Sequence, residues 1–102
     1  MTADEQLPVL FMVVERFAPG VATDIYRRVR AEGRMFPEGL RYLDSWVHAD
    51  LRGCFQLMEC DDLGLLQEWV ARWGELADFR VVPVTPSRLT ADLMARLDSA
   101  EG

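Results

Sequence analysis

Tyr42, Asp44 and Trp46 recur at every second position, the spacing that puts side chains on one face of a β-strand. A phenol, a carboxyl and an indole aligned in this way offer a hydrogen-bond donor, a general acid or base, and a flat apolar wall. Further along, Glu59 lies near the end of the run Cys54 to Cys60, while Trp69 and Trp73 stand four residues apart on a helical pattern. If Ala49 to Arg52 closes a hairpin as a four-residue loop, His48 faces Gly53, Trp46 faces Phe55, Asp44 faces Leu57 and Tyr42 faces Glu59. That face then presents two carboxylates, a phenol and an indole above a helix bearing Trp69 and Trp73. Asp44 or Glu59 becomes the candidate general base, its pKa raised by apolar walls, with Tyr42 as hydrogen-bond donor. Trp46, Trp69, Trp73 and Arg34 are the candidate ligand contacts. A one-residue change in loop length moves the third strand's side chains to the opposite face and dissolves the arrangement.

Each of these residues also has a structural reading. Tryptophans at such positions serve as core or interface anchors, and Glu59 at a strand end can pair with an arginine such as Arg41. Asp44 in mid-strand is more informative, because strands disfavour aspartate and a buried one needs a partner. Glu15 and Arg16, closing the first apolar run, are expected at solvent or a subunit boundary. His48, beside the turn, is expected to be exposed, with proton shuttling or axial haem ligation as its functional alternatives. A single histidine is too few for a zinc-type ligand set or for a nucleophilic triad beyond that one residue. Cys54 and Cys60 on one strand stand roughly 20 Å apart, too far for a disulfide, and read as small buried residues. The glycines mark turns and helix ends and build no phosphate-cradling loop. Metal-dependent and nucleotide-dependent chemistry is therefore disfavoured, and no cofactor is expected.

The elements that must position these residues come from a chain of 102 residues, half of them apolar, the size of one small domain. The net charge of −6 would repel nucleic acid and an anionic membrane surface. All eleven basic residues are arginine. Arg27, Arg28, Arg30, Arg34 and Arg41 cluster, either to receive an anionic ligand or as a solvated helix face. The start, Met1 to Gln6, is acidic rather than basic, unlike a secretory signal, and the run Leu7 to Val14 falls far short of the ~20 residues a membrane span needs. A cytoplasmic location is the expectation.

Pro8 to Phe17 is apolar on both faces and reads as a buried strand. After the turn at Pro19-Gly20, Val21, Ile25 and Val29 mark an amphipathic helix that Gly33 ends. Leu40 to His48 and Cys54 to Cys60 are a hairpin pair. Asp61-Asp62 caps a helix from Leu63 to about Leu76, Asp78 to Val84 is a fourth strand, and Ser87 caps a last helix lined by Leu89, Leu93 and Leu97. The order β-α-β-β-α-β plus a C-terminal helix is the ferredoxin-like α+β arrangement, with a four-stranded antiparallel sheet. Two helices cover only one face of such a sheet, yet the first, third and fourth strands are apolar on both. The second face must be buried too, by the C-terminal helix folding back or by a second subunit's sheet. The second subunit is preferred, because one three-turn helix covers four strands poorly.

The blocks LFMVVERF (Leu10 to Phe17), YRR (Tyr26 to Arg28), GRMFPEGLRYLDSWV (Gly33 to Val47), CFQLMECDD (Cys54 to Asp62), LLQEWVARW (Leu65 to Trp73) and DFRVVPV (Asp78 to Val84) resemble a bacterial family of short proteins, the domain-of-unknown-function family 3303. Their pattern is similar to the dimeric α+β barrel superfamily, in which two ferredoxin-like sheets pair into one barrel. That resemblance implies a homodimer and transfers no chemistry, since the superfamily spans monooxygenases, haem proteins, isomerases and ligand sensors. Two function classes follow. One is metal-free handling of a small, aromatic or polyketide-like molecule on the acidic and aromatic face. The other is a non-catalytic dimeric module that binds a metabolite or partner through the arginines.

Overall fold

Strand β1 (Val9–Phe17) is central in a sheet ordered β2-β3-β1-β4, and all three neighbouring pairs are antiparallel. The computed structural model describes residues 9–101; Pro8, where the sequence begins the first strand, lies outside them, as does the acidic start. The remaining elements are α1 (Ala22–Glu32), β2 (Arg41–Val47), β3 (Gly53–Cys60), α2 (Leu63–Trp73), β4 (Ala77–Val84) and α3 (Ser87–Glu101). This is the ferredoxin-like α+β fold with an added C-terminal helix.

Alternation along each strand decides what the helices cover. Phe11, Val13 and Phe17 of β1 and Cys54, Met58 and Cys60 of β3 are buried, joined by Ile25 of α1 and by Leu66, Trp69 and Trp73 of α2. Met58 and Val13 are wholly buried, and each such side chain contributes about 1.5–3 kcal/mol of transfer free energy. Helix α1 has no side-chain N-cap and ends at Gly33, whose φ of 70° suits glycine. It buries Ile25 alone, and its outer surface carries the pairs Arg27–Asp24 and Arg28–Glu32. Helix α2 starts at Asp62, whose Oδ1 accepts the Gly64 N–H at 2.8 Å. The capping carboxylate also sits favourably at the positive end of the helix dipole.

The opposite face carries Leu10, Met12 and Val14 of β1, Leu57 of β3 and Val82 and Val84 of β4, all partly exposed, with Phe55 and Trp46 more open still. Helix α3 does not fold back over it. Residues 87–100 are all exposed, including Leu89, Leu93, Met94 and Leu97, and the described chain measures 56 × 31 × 17 Å. Only Thr85 and Pro86 separate β4 from α3. After so short a link the helix runs on outward instead of doubling back. Of the two ways to bury the second face, self-coverage by α3 is thus not the one adopted.

The hairpin closes as the sequence implies, with the His48 N–H donating to the Gly53 carbonyl at 2.8 Å. Gly53 cannot be larger: a Cβ there would run into the Glu15 carbonyl oxygen of β1 and the His48 ring. Strand β2 departs from regular pairing between Tyr42 and Asp44, where Leu43 is an extra residue.

Met58→Ala should cost about 2–5 kcal/mol, the usual range for truncating a fully buried side chain. Arg27→Ala, which breaks only an exposed pair, should cost less than about 1 kcal/mol. Urea unfolding of both variants checks the contrast, and equal costs would contradict the placement of the core.

Candidate functional site

Glu15 interrupts the covered face. It follows Phe11 and Val13 at the two-residue strand period, and it is only 6% exposed, not at solvent as its place near the strand end implied. Register explains its company: Glu15 pairs with Cys54 across β1 and β3, and Gln56 projects to the same side. Glu15 Oε2 accepts from the Cys54 thiol at 2.8 Å, and Oε1 accepts from the Gln56 amide. The amide carbonyl oxygen of Gln56 in turn accepts from Arg34 Nη1 at 3.2 Å. Because Arg34 can only donate, it fixes which way the Gln56 amide points. Oε1 of Glu15 is thereby an acceptor for the Gln56 amide.

The loop between α1 and β2 delivers Arg34. Its backbone carbonyl accepts both indole N–H groups, from Trp69 at 3.0 Å and from Trp73 at 3.2 Å. The next residue, Met35, has a φ of 59°, and its carbonyl accepts from Arg72 Nη1 at 2.7 Å. Helix α2 thus clamps a strained turn, and the Arg34 side chain is turned towards the sheet. Its guanidinium carbon lies 4.5 Å from the Tyr42 ring centroid, a cation–π contact, while the Tyr42 hydroxyl lies 2.5 Å from Ser45 Oγ. Trp69 packs against both Phe36 and Phe79, with ring centroids 5.5 and 5.3 Å apart.

Between them the sheet and the two helices leave a cavity of about 90 Å³. Phe17, Ile25, Tyr26, Trp69 and Phe79 wall it, and Glu15, Arg34 and Cys54 also line it. Burial raises the Glu15 pKa, outweighing the Cys54 and Gln56 hydrogen bonds and the Arg34 charge, which pull it down. Burial also pushes the Cys54 thiol up, and the Glu15 carboxylate adds to that. Cys60 is raised as well, chiefly by burial. Neither cysteine is therefore an activated nucleophile. Glu15 is thus the cavity's carboxyl, its pKa held above the ordinary value by burial.

The residues singled out by sequence do not meet at one place. Asp44 faces Leu57 and Trp46 faces Phe55, as the four-residue loop implies. The bulge at Leu43 then shifts the register: Tyr42 pairs with Met58, and Arg41, not Tyr42, lies opposite Glu59. Asp44, Trp46 and Glu59 stand on the uncovered face, while Tyr42, Arg34, Trp69 and Trp73 stand on the helix side. Glu59 makes a 2.6 Å ion pair with Arg41, and Asp44 Oδ1 accepts the Ser45 N–H at 2.8 Å. Of the clustered arginines, Arg27 and Arg28 are paired on α1, and Arg34 alone reaches the cavity. His48 is half-buried rather than exposed, with its ring edge against Phe55 at 4.7 Å. Among the described residues no group of three or more histidine, cysteine, aspartate or glutamate side chains is placed to hold a metal ion. No described helix is long and apolar enough to cross a membrane. Glu15 is the residue the sequence reading passed over. The signal was present: Phe11, Val13, Glu15 and Phe17 keep one parity, so a carboxyl occupies a core position.

The profile of a family described as Domain of unknown function (DUF3303) matches residues 9–98. A search of curated proteins finds no match. Among solved structures, the chain is similar to the crystal structure of PA3566 from Pseudomonas aeruginosa, at 17% identity and a TM-score of 0.56, over 79% of this chain and 95% of that one. At that identity the likeness is one of fold alone.

The raised pKa of Glu15 carries a sign. Its neutral form stabilises the fold fully below the unfolded value of about 4.5, and that contribution is lost as pH rises through the higher folded value. Glu15→Gln removes the titration. The variant should therefore gain on the wild type as pH is raised from about 4 to about 8 in urea unfolding. Parallel stability curves would show that burial leaves this carboxyl's ionisation unchanged.

Proposed function

The chain belongs to the DUF3303 family, a domain of unknown function, and from that footing we propose that it binds a small molecule in the cavity between sheet and helices, as a homodimer. The observation that carries the binding reading is Glu15, a carboxyl held among aromatic side chains at the wall of a cavity. Burying it costs stability that glutamine or leucine would not, so its place is better accounted for by a ligand than by the core. Apolar walls with a few convergent polar groups and a displaced pKa are the usual marks of a binding site. Glu15 also supplies the means for metal-free acid–base chemistry on what is bound. The runner-up, an arginine-based interaction module, has less support, because Arg27, Arg28 and Arg41 are already paired with carboxylates.

Assembly is argued from uncovered apolar surface. Leu10, Met12, Val14, Leu57, Val82 and Val84 form a contiguous, partly exposed apolar patch on the open face, the kind of surface that marks an interaction site. The exposed leucines of α3 are a second such surface on the same chain. Helix α3 leaves its own sheet uncovered, so a second copy is the occupant that answers both. Two open faces would pack about 10 Å apart, as in other paired sheets, with each α3 lying along the partner.

A native mass spectrum of gently purified protein tests both halves. The expected species has about twice the 11.6 kDa chain mass and carries a discrete small adduct. Arg34→Gln at the cavity should lose the adduct and keep the dimer, whereas Leu57→Asp on the open face should yield a folded monomer. A bare wild-type dimer counts against the binding reading, and a wild-type monomer against the assembly.

A further inference from the structure

Resting on the reading of the cavity as a binding site, we infer that its ligand is a short-chain carboxylate, held by its head on Arg34 with its apolar tail inside. The inference follows from which polar groups at the cavity are still free. Both tryptophan N–H groups are committed to the Arg34 carbonyl, so Trp69 and Trp73 offer ring faces and no donors. The Tyr42 hydroxyl and Ser45 Oγ satisfy each other. Both Cys54 and Gln56 are turned to Glu15.

Arg34 remains. It makes no ion pair with any described carboxylate, and of its N–H groups only one at Nη1 is engaged, by Gln56. Its planar fork matches a carboxylate bidentately, and the Tyr42 ring beneath it holds the fork in place. An amine or other cationic head would meet the guanidinium charge directly. A neutral head would forgo the charge-assisted pair that the free donors offer.

Volume limits the tail. About 90 Å³ is well below the ~150 Å³ cavity that holds a benzene ring. It therefore favours a short aliphatic tail over an aromatic ring. Phe17, Ile25 and Phe79 give that tail apolar contacts. Burial raises the Glu15 pKa, which lessens the negative charge that would oppose the head.

The probe is butyrate, compared with butyramide, n-butylamine and benzoate, titrated into the ¹⁵N-labelled full chain. The readout is the Trp69 and Trp73 indole N–H resonances. Butyrate should shift them saturably, butyramide and n-butylamine at least tenfold more weakly, and benzoate less than butyrate. Arg34→Gln should weaken butyrate at least tenfold, and Arg34→Lys should restore part of the loss. Both variants should fold, because the tryptophans are anchored by the backbone carbonyl of residue 34 and not by its side chain. Butyramide or n-butylamine binding as well as butyrate would overturn the carboxylate assignment while leaving the cavity a binding site. Stronger binding by benzoate would overturn the short tail. No response to any of the four would overturn the inference together with the reading it rests on.

Discussion

Two helices cover one face of a four-stranded sheet, and everything else in this protein follows from how that single covered face is filled. Its apolar side chains, Phe11, Val13, Met58 and Leu66 among them, supply the burial that holds the domain together. Its two polar interruptions, Glu15 and Gln56, are the buried polar and charged residues of the described chain. They sit side by side on the central strands. A buried carboxyl and a buried amide are tolerable only with partners, and here they partner each other, with Cys54 on one side and Arg34 on the other. The covered face is therefore both the core and the wall of the cavity, and the same packing that stabilises the fold sets the protonation of Glu15.

Arg34 joins the local and the global structure. Its carbonyl ties both indoles of α2 to the loop that follows α1, while its side chain orients the Gln56 amide and stacks on Tyr42. One residue thus couples two helices and two strands. Backbone and side chain have separate tasks there, the first in positioning α2, the second in ordering the polar chain that runs through Gln56 to Glu15.

The hairpin shows where a period-two reading holds and where it fails. Strand alternation and a four-residue loop correctly placed Trp46 opposite Phe55 and Asp44 opposite Leu57. One extra residue at Leu43 then reversed the parity of everything N-terminal to it. Tyr42 crossed to the helix side, where it meets Arg34 and Ser45. Arg41 came opposite Glu59 and pairs with it, which was the structural reading of that carboxylate. A bulge leaves no mark in hydrophobic alternation, because inserting one residue into a short, mostly exposed strand changes little that burial can register. Glu15 was obscured differently. Its position among core residues was visible in the spacing of Phe11, Val13 and Phe17, but a charged residue near a strand end is usually solvated, and that prior outweighed the pattern.

The linear chain was enough for the element order, the ferredoxin-like topology, the buried state of both cysteines and the excess of apolar strand surface over what two helices can cover. Those properties depend on local periodicity and on counting, both of which are written residue by residue. Which carboxyl lies inside, which face carries the tryptophans of α2, and where the last helix points depended on contacts between segments far apart in sequence. Cys54 meets Glu15 across 39 residues, and the indole of Trp73 meets the carbonyl of Arg34 across another 39. Such pairings are fixed by register, a bulge and a two-residue tether. Each is a small local feature whose effect is felt only once the strands and helices are assembled.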